Sequence, residues 1–347
     1  MNILLKMYRT IIPERIRRAY NEFYQKLRVF CINKQAMQRK SYGELNKDKI
    51  FYVIRTDSTQ HWGVFTTCLM VLNNLKYADE HGWIPVVDYK NYFLDGLQEE
   101  QRRGVDNAWE YYFEPCDKRY SLEEVYKSKH VILGPEWGQP FRSLSWGNIY
   151  KIEEIEDIYY RLVEKYIRIK PELMERAETK MKELFPTGEK VLGVGMRAGL
   201  KWGELAGRDL YRNHPVGPDI NEYIAETRKW MSEFICGYVF VSCDDRYYLE
   251  RMKAEFGEKC LYIERFLPHF FDKNKPIPAE NLDQRIQEFN GISLIKRNED
   301  YIIEIYLLSK CDSLFASKGG GATMAILFND KKYEHCVIYA NGGITIT

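Results

Sequence analysis

YVFVSCDDRYYLERMKAEFGEKCLYI, residues 238–263, decides the fold. Tyr238–Ser242 is a short apolar run that reads as a buried strand. The acidic pair Asp244-Asp245 follows it, Tyr247–Phe256 reads as a helix, and Cys260–Ile263 is a second apolar run. Two short strands joined through a helix cannot form a hairpin; the crossover makes them parallel neighbours in one sheet. The same alternation extends in both directions. Upstream lie a strand at Val191–Met196 (VLGVGM) and a helix at Ile220–Phe234. Downstream lie a helix at Tyr301–Ser309, a strand at Ser313–Ser317 (SLFAS), a helix opening at Thr323–Phe328 and a last strand at Cys336–Ala340. Such a series predicts a doubly wound parallel sheet.

A second series precedes it. Ile50–Ile54 reads as a strand, Arg55–Gly63 as a polar loop, Thr67–His81 as a helix closed by Gly82, and Ile84–Asp88 as the next strand, which together make a βαβ unit. The apolar run Val131–Leu133, a charged helix over Glu153–Lys170 and a further helix over Pro171–Phe185 complete it. The chain is therefore expected to be α/β, with two Rossmann-like domains in tandem and parallel sheets. Its expected divisions are an N-terminal arm at 1–45, a first domain at 46–185 and a second at 186–347. No internal repeat of solenoid length is present.

At 347 residues there is enough chain for two cores, and 45% hydrophobic content excludes a disordered protein. The net charge of +1 gives no reason to expect a nucleic-acid partner. It hides an asymmetry, because residues 1–40 carry +8 and the remainder −7. After Pro13, the residues Ile16, Tyr20, Phe23, Tyr24, Leu27 and Phe30 fall at helical spacing among Arg17, Arg18 and Lys26. This basic amphipathic helix has two equal readings. It packs on the protein body or a second subunit, or residues 6–40 lie on an anionic membrane surface. The opening MNILLKMYRTII is too short and too charged for a signal peptide, and no apolar run is long enough to span a bilayer. Eight scattered cysteines without a CxxC suggest reduced thiols rather than a disulfide framework or zinc site, and hence a cytoplasmic protein, peripheral to the inner membrane face if the arm binds lipid.

In open α/β sheets, ligands bind beyond the carboxyl ends of the strands. That rule selects three loops of the second domain. After the Val191 strand come Arg197 and a long loop holding Lys201, Glu204, Arg208, Asp209, Arg212 and His214. After the Tyr238 strand comes Asp244-Asp245, and after the Ser313 strand comes Lys318-Gly319-Gly320-Gly321 before a helix. The glycines would let backbone approach a ligand, and the helix start offers free N–H groups; this is a diphosphate cradle or a flexible turn. Arg197 offers forked donors to a diphosphate or makes a surface ion pair. Asp244-Asp245 could hold ribose hydroxyls or base donors, or cap the helix that follows. Glu304, on an apolar helix, must find a donor in a ligand N–H or point to solvent. His214 contacts ligand or packs its loop.

These segments resemble the α-1,6-fucosyltransferase-like superfamily, which includes nodulation and core fucosyltransferases and, most similar, bacterial surface-polysaccharide members. GVGMRAG (193–199) with HPV (214–216) resembles the first motif, a strand ending in His-x-Arg with a later His-Pro. VFVSCDDRYYLERMKAEFGEKCLYI (239–263) and YIIEIYLLSKCDSLFASKGGGATMAILFN (301–329) resemble the second and third. YADEHGWIPVVDYKNY (77–92) and the stretches NAWEYYFEP (107–115) and YSLEEVYKSKHVI (120–132) resemble the acceptor-side domain, so the likeness covers about residues 50–345.

The resemblance implies a GT-B fold and an inverting, metal-independent transfer without cofactor. The transfer would run from GDP-fucose to a saccharide acceptor, lipid-linked in surface polysaccharide or lipopolysaccharide synthesis. It implies that Arg197 binds the donor diphosphate and that Glu304 recognises the nucleoside. Gly195, His214, Asp244, Asp245 and the turn Ser317, Lys318, Gly319, Gly320, Gly321 and Thr323 would line the donor pocket. Gly195 stands where the family carries His, and Ala198-Gly199-Leu200 replaces its Arg/Gly-Thr-Asp tail. An inverting transfer needs a base near the acceptor hydroxyl, and Glu204, ahead of Asp209, is the candidate. The altered motif keeps open a catalytically silent nucleotide-sugar or glycan-binding scaffold, and a transferase using another nucleotide sugar.

Overall fold

The computed structural model describes residues 37–56, 63–91, 106–135, 155–197, 218–267, 294–340 and 343–346. The basic helix expected after Pro13 lies outside the described residues, as do Glu204, Asp209 and His214 with the rest of their loop.

In chain order the elements are β1 (Gln38–Lys40), β2 (Phe51–Ile54), α1 (Val64–Glu80), β3 (Ile84–Val87) and β4 (Val131–Leu133). Then come α2 (Asp157–Tyr166), α3 (Pro171–Leu184), β5 (Val191–Gly195), α4 (Ile220–Glu233), β6 (Tyr238–Ser242), α5 (Arg246–Phe256) and β7 (Cys260–Tyr262). The chain continues with α6 (Leu294–Leu308), β8 (Ser313–Ser317), α7 (Gly320–Asn329), β9 (His335–Ala340) and β10 (Gly343–Ile346). One-turn helices at Ala108–Tyr111 and Leu122–Val125 lie between β3 and β4. The strands form two sheets, ordered β1-β4-β2-β3 and β10-β9-β8-β5-β6-β7. All pairings are parallel except β1 with β4 and β10 with β9.

Both faces of each sheet are covered, which is why the central strands read as unbroken apolar runs. In β2, Phe51 and Val53 join one buried cluster with Val86, Val131 and Leu133, while Tyr52 and Ile54 face α1. In the second sheet, Leu192, Val194, Val239 and Val241 pack under Trp230 and Tyr223 of α4. The opposite face joins α6 and α7 in one continuous core with Leu72, Trp109 and other residues around the first sheet.

Four of the elements that differ from the sequence expectation do so for identifiable reasons. Gln38–Lys40, in the stretch read as arm, pairs with β4, and Tyr42 and Leu45 continue along that edge by bonding to Ser128 and Lys127. An exposed polar strand on a sheet edge has no apolar alternation to betray it. Strand β10 is a short terminal partner of β9. Helix α6 begins two turns early because its charged start is bound from outside: Arg176 pairs with Glu299 and Asp300, and Asn298 donates to the Tyr112 hydroxyl. Helix α7 begins at Gly320, not Thr323, so two of the three glycines are helical. No helix among the described residues is long and apolar enough to cross a membrane.

Candidate functional site

The site is built where β8, β5 and β6 end side by side in the second sheet. Arg197 stands two residues beyond β5. Its backbone N–H donates to the hydroxyl of Tyr223 at 3.1 Å. Tyr223 comes from α4, is fully buried, and shares a hydrogen bond with the hydroxyl of Ser317, the last residue of β8. The guanidinium of Arg197 reaches the next turn, since a Cβ on Gly319 would meet its Nη1 at 3.2 Å. Arg197, Ser317 and Gly319 are thus brought together at the start of α7.

That helix start has the makings of an anion site. Gly319 is its N-cap and provides no side-chain cap. The hydroxyl of Thr323 bonds back to the Gly319 carbonyl at 3.0 Å. The amides of the first turn have no carbonyl four residues behind them within the helix, and their dipoles add to the charge of Arg197. Lys318 is buried, with its backbone N–H on the Tyr339 carbonyl.

The remaining glycines serve packing. A Cβ on Gly320 would meet the Thr66 amide nitrogen at 3.0 Å, and one on Gly321 would collide with the Tyr301 hydroxyl. Phe65 in turn lies edge-on against Tyr301 at 5.1 Å between centroids. The N-terminus of α1, which follows the first sheet's β2, therefore meets the N-terminus of α7 beside Arg197. Gly195 makes room on the sheet, because a Cβ there would lie 2.9 Å from the Ala316 Cβ and 3.5 Å from Leu308.

Glu304 is buried, and its carboxylate already has protein donors. Arg265 donates to it through Nε at 3.2 Å and Nη2 at 2.8 Å, and the Ser242 hydroxyl donates at 2.9 Å. Arg265 also donates to the Cys243 carbonyl at 2.6 Å. This ion pair ties α6 to the ends of β6 and β7. Asp245 is fully buried and caps α5 by accepting the Tyr248 N–H at 3.1 Å, the capping role expected of it. Burial pushes the Tyr301 hydroxyl up to about 12; Arg197 opposes the shift, Glu304 and Asp244 add to it, and Arg265 again opposes. Tyr301 is thus a neutral donor lying amid both arginines and both carboxylates.

Sequence reasoning missed Tyr223, Arg265 and Tyr301. Arg265 could have been found, because it sits just past β7, where the strand-end rule applies equally. Tyr223 and Tyr301 lie inside apolar helical patterns, and nothing local separates them from core. Away from this site, a groove of about 630 Å³ runs beside β3, lined by Val87, Asp106, Asn107, Trp109 and Tyr120 among others. Among the described residues no cluster of His, Cys, Asp or Glu could hold a metal.

Solved structures share this architecture. The NodZ α-1,6-fucosyltransferase co-crystallised with GDP matches with a TM-score of 0.51 and 15% identity, over 86% of this chain and 98% of that one. This chain has the fold of that fucosyltransferase. The NodZ structure soaked with GDP-fucose gives a TM-score of 0.50 and 15% identity, over 86% and 99% of the two chains. The fucosyltransferase NodZ from Bradyrhizobium gives 0.49 and 14%, over 86% and 98%. No protein-family model and no curated protein sequence matches the chain. The motif resemblance is therefore met at the level of the fold: an α/β protein of GT-B type with two mainly parallel sheets.

Proposed function

We propose that the chain is a glycosyltransferase that takes fucose from GDP-fucose and transfers it, with inversion, to a saccharide. The observation that carries this reading is the convergence of Arg197, the Ser317 hydroxyl and the uncapped α7 N-terminus at one point on the sheet's carboxyl edge. Such a site suits a diphosphate. The fold shared with a fucosyltransferase co-crystallised with GDP supports the choice of nucleotide.

In this reading residues 186–347 hold the donor and residues 46–185 face the acceptor. When the acceptor hydroxyl attacks the anomeric carbon, the bond to the diphosphate oxygen breaks and negative charge grows on the leaving GDP. Arg197 and the α7 amides stabilise that charge as it develops, and need no metal ion to do so. A carboxylate must take the acceptor proton; Glu204, with Asp209 behind it, remains the candidate. We place the work in bacterial surface-glycan assembly, with the basic residues 6–40 holding the enzyme against an anionic membrane near lipid-linked acceptors.

The test is release of GDP from GDP-fucose, with and without a panel of saccharide acceptors, by wild type and Arg197→Ala. Turnover by wild type and its loss in the variant supports the reading. Full activity in Arg197→Ala removes the donor site, and tight GDP binding without turnover identifies a silent scaffold.

A further inference from the structure

We infer that Tyr223 is a positioning residue that aims the Ser317 hydroxyl at the ligand as a hydrogen-bond donor to a phosphate oxygen. This deepens the proposed function and rests on its diphosphate site.

The argument is a count of hydrogens. The Tyr223 oxygen accepts the Arg197 backbone N–H at 3.1 Å and also shares a hydrogen bond with the Ser317 hydroxyl. Each hydroxyl has one hydrogen to donate. One of the two hydrogens lies in the shared bond; the other has no protein acceptor among the described residues. A phenol is the stronger acid and the better donor, and the Arg197 amide pointing at its oxygen polarises it further. Tyr223 therefore donates to Ser317, and the unspent hydrogen is the one on Ser317.

Ser317 is itself buried and sits at the carboxyl end of β8, against the turn that Arg197 reaches. Among groups brought to this point by a nucleotide sugar, a diphosphate oxygen is the acceptor that matches its neighbours, since Arg197 and the α7 amides are also donors. The pairing gives the site a memory of orientation. With the Tyr223 oxygen fixed by Arg197, the serine hydrogen cannot turn inward, and it costs no reorganisation when ligand arrives. Burial raises the Tyr223 phenol well above its usual range, so the arrangement persists through neutral pH.

Tyr223→Phe removes the oxygen and keeps the ring, which is held edge-on to Tyr248 and tilted on Phe315. Calorimetric titration with GDP, guanosine and inorganic pyrophosphate reads the result. Tyr223→Phe and Ser317→Ala should each weaken GDP and pyrophosphate by about tenfold and leave guanosine unchanged. The double variant should be no weaker than either single one, because the two hydroxyls act as one donor. Ser317→Thr, which keeps a hydroxyl, should bind within about threefold of wild type. Losses that multiply in the double variant, equal losses for guanosine, or wild-type GDP affinity in Tyr223→Phe overturn the assignment. Wild-type binding of pyrophosphate without GDP removes the guanosine reading while the cycle on pyrophosphate still decides this one. Binding of neither removes both.

Discussion

Replacing Glu304 by Gln deletes one charge from a buried pair and leaves its shape in place. The side chains of Arg265 and Glu304 are 6% and 3% exposed, with the closest contact at 2.8 Å. At an effective dielectric of about 20, that separation corresponds to about 6 kcal/mol of attraction. Withdrawing two ions from water costs several kcal/mol each, so the intact pair contributes little net stability. Removing one partner is different. Arg265 cannot shed its proton and would stay charged and buried, facing an amide and the Cys243 carbonyl. Glu304→Gln should therefore cost about 3 kcal/mol, and Arg265→Met about 3–5 kcal/mol. The double variant Arg265→Met/Glu304→Leu discards both charges and should return to within about 2 kcal/mol of wild type, the remaining loss coming from the Ser242 hydroxyl and the Cys243 carbonyl left without these partners. Urea unfolding followed by tryptophan fluorescence, with midpoints compared at constant slope, measures all three. Single variants within about 0.5 kcal/mol of wild type, or a double variant carrying the sum of both losses, would refute the reasoning.

Gly321→Val places a branched side chain on the Tyr301 hydroxyl and should destabilise by about 1–3 kcal/mol, measured by the same unfolding assay. Asp245→Ala removes the cap of α5 and should cost about 1 kcal/mol, and it should cost as much in a Tyr248→Phe background, because the bonded donor is the backbone N–H of residue 248. Ile235 is 81% exposed and holds a φ of 55°, which a β-branched residue adopts only under strain; Ile235→Gly should raise stability by about 1 kcal/mol. Burial raises the Tyr301 hydroxyl to about 12 and the Cys116 and Cys260 thiols to about 12, so each binds its proton more tightly folded than unfolded. Their contribution to stability is complete below the unfolded values and is lost as pH rises through the folded ones, so unfolding free energy should fall between about pH 9 and 12.

The sheets were legible because parallel strands buried on both faces announce themselves as apolar runs. Tyr238–Ser242 and Ser313–Ser317 have the same bounds in sequence and structure. What depended on distant partners was not legible. The start of α6 is helical because Arg176 and Tyr112 bind it, and neither is near in sequence. The glycine run pointed to a close approach, and at two of its members the space a Cβ would need is taken by α1 and Tyr301. Glu304 was rightly expected to need a donor, but the donor is Arg265, far away along the chain and beside it in space. The pairing of β5 with β8 sets Arg197 and Ser317 side by side, and α4 delivers Tyr223 to bond with both, a contact no local pattern encodes.

The central claim is that this site binds the diphosphate of a guanosine nucleotide sugar through Arg197. A thermal-shift screen of GDP, UDP, CMP and dTDP sugars against wild type and Arg197→Ala tests it without any assumption about the acceptor. A ligand at a hundred times its dissociation constant should stabilise the folded chain by about 2.7 kcal/mol. The account predicts that GDP-fucose raises the midpoint of the wild type alone, and that the other three nucleotide classes leave both proteins unchanged. A shift by UDP, CMP or dTDP sugars in place of GDP, or an equal GDP-fucose shift in Arg197→Ala, would contradict it.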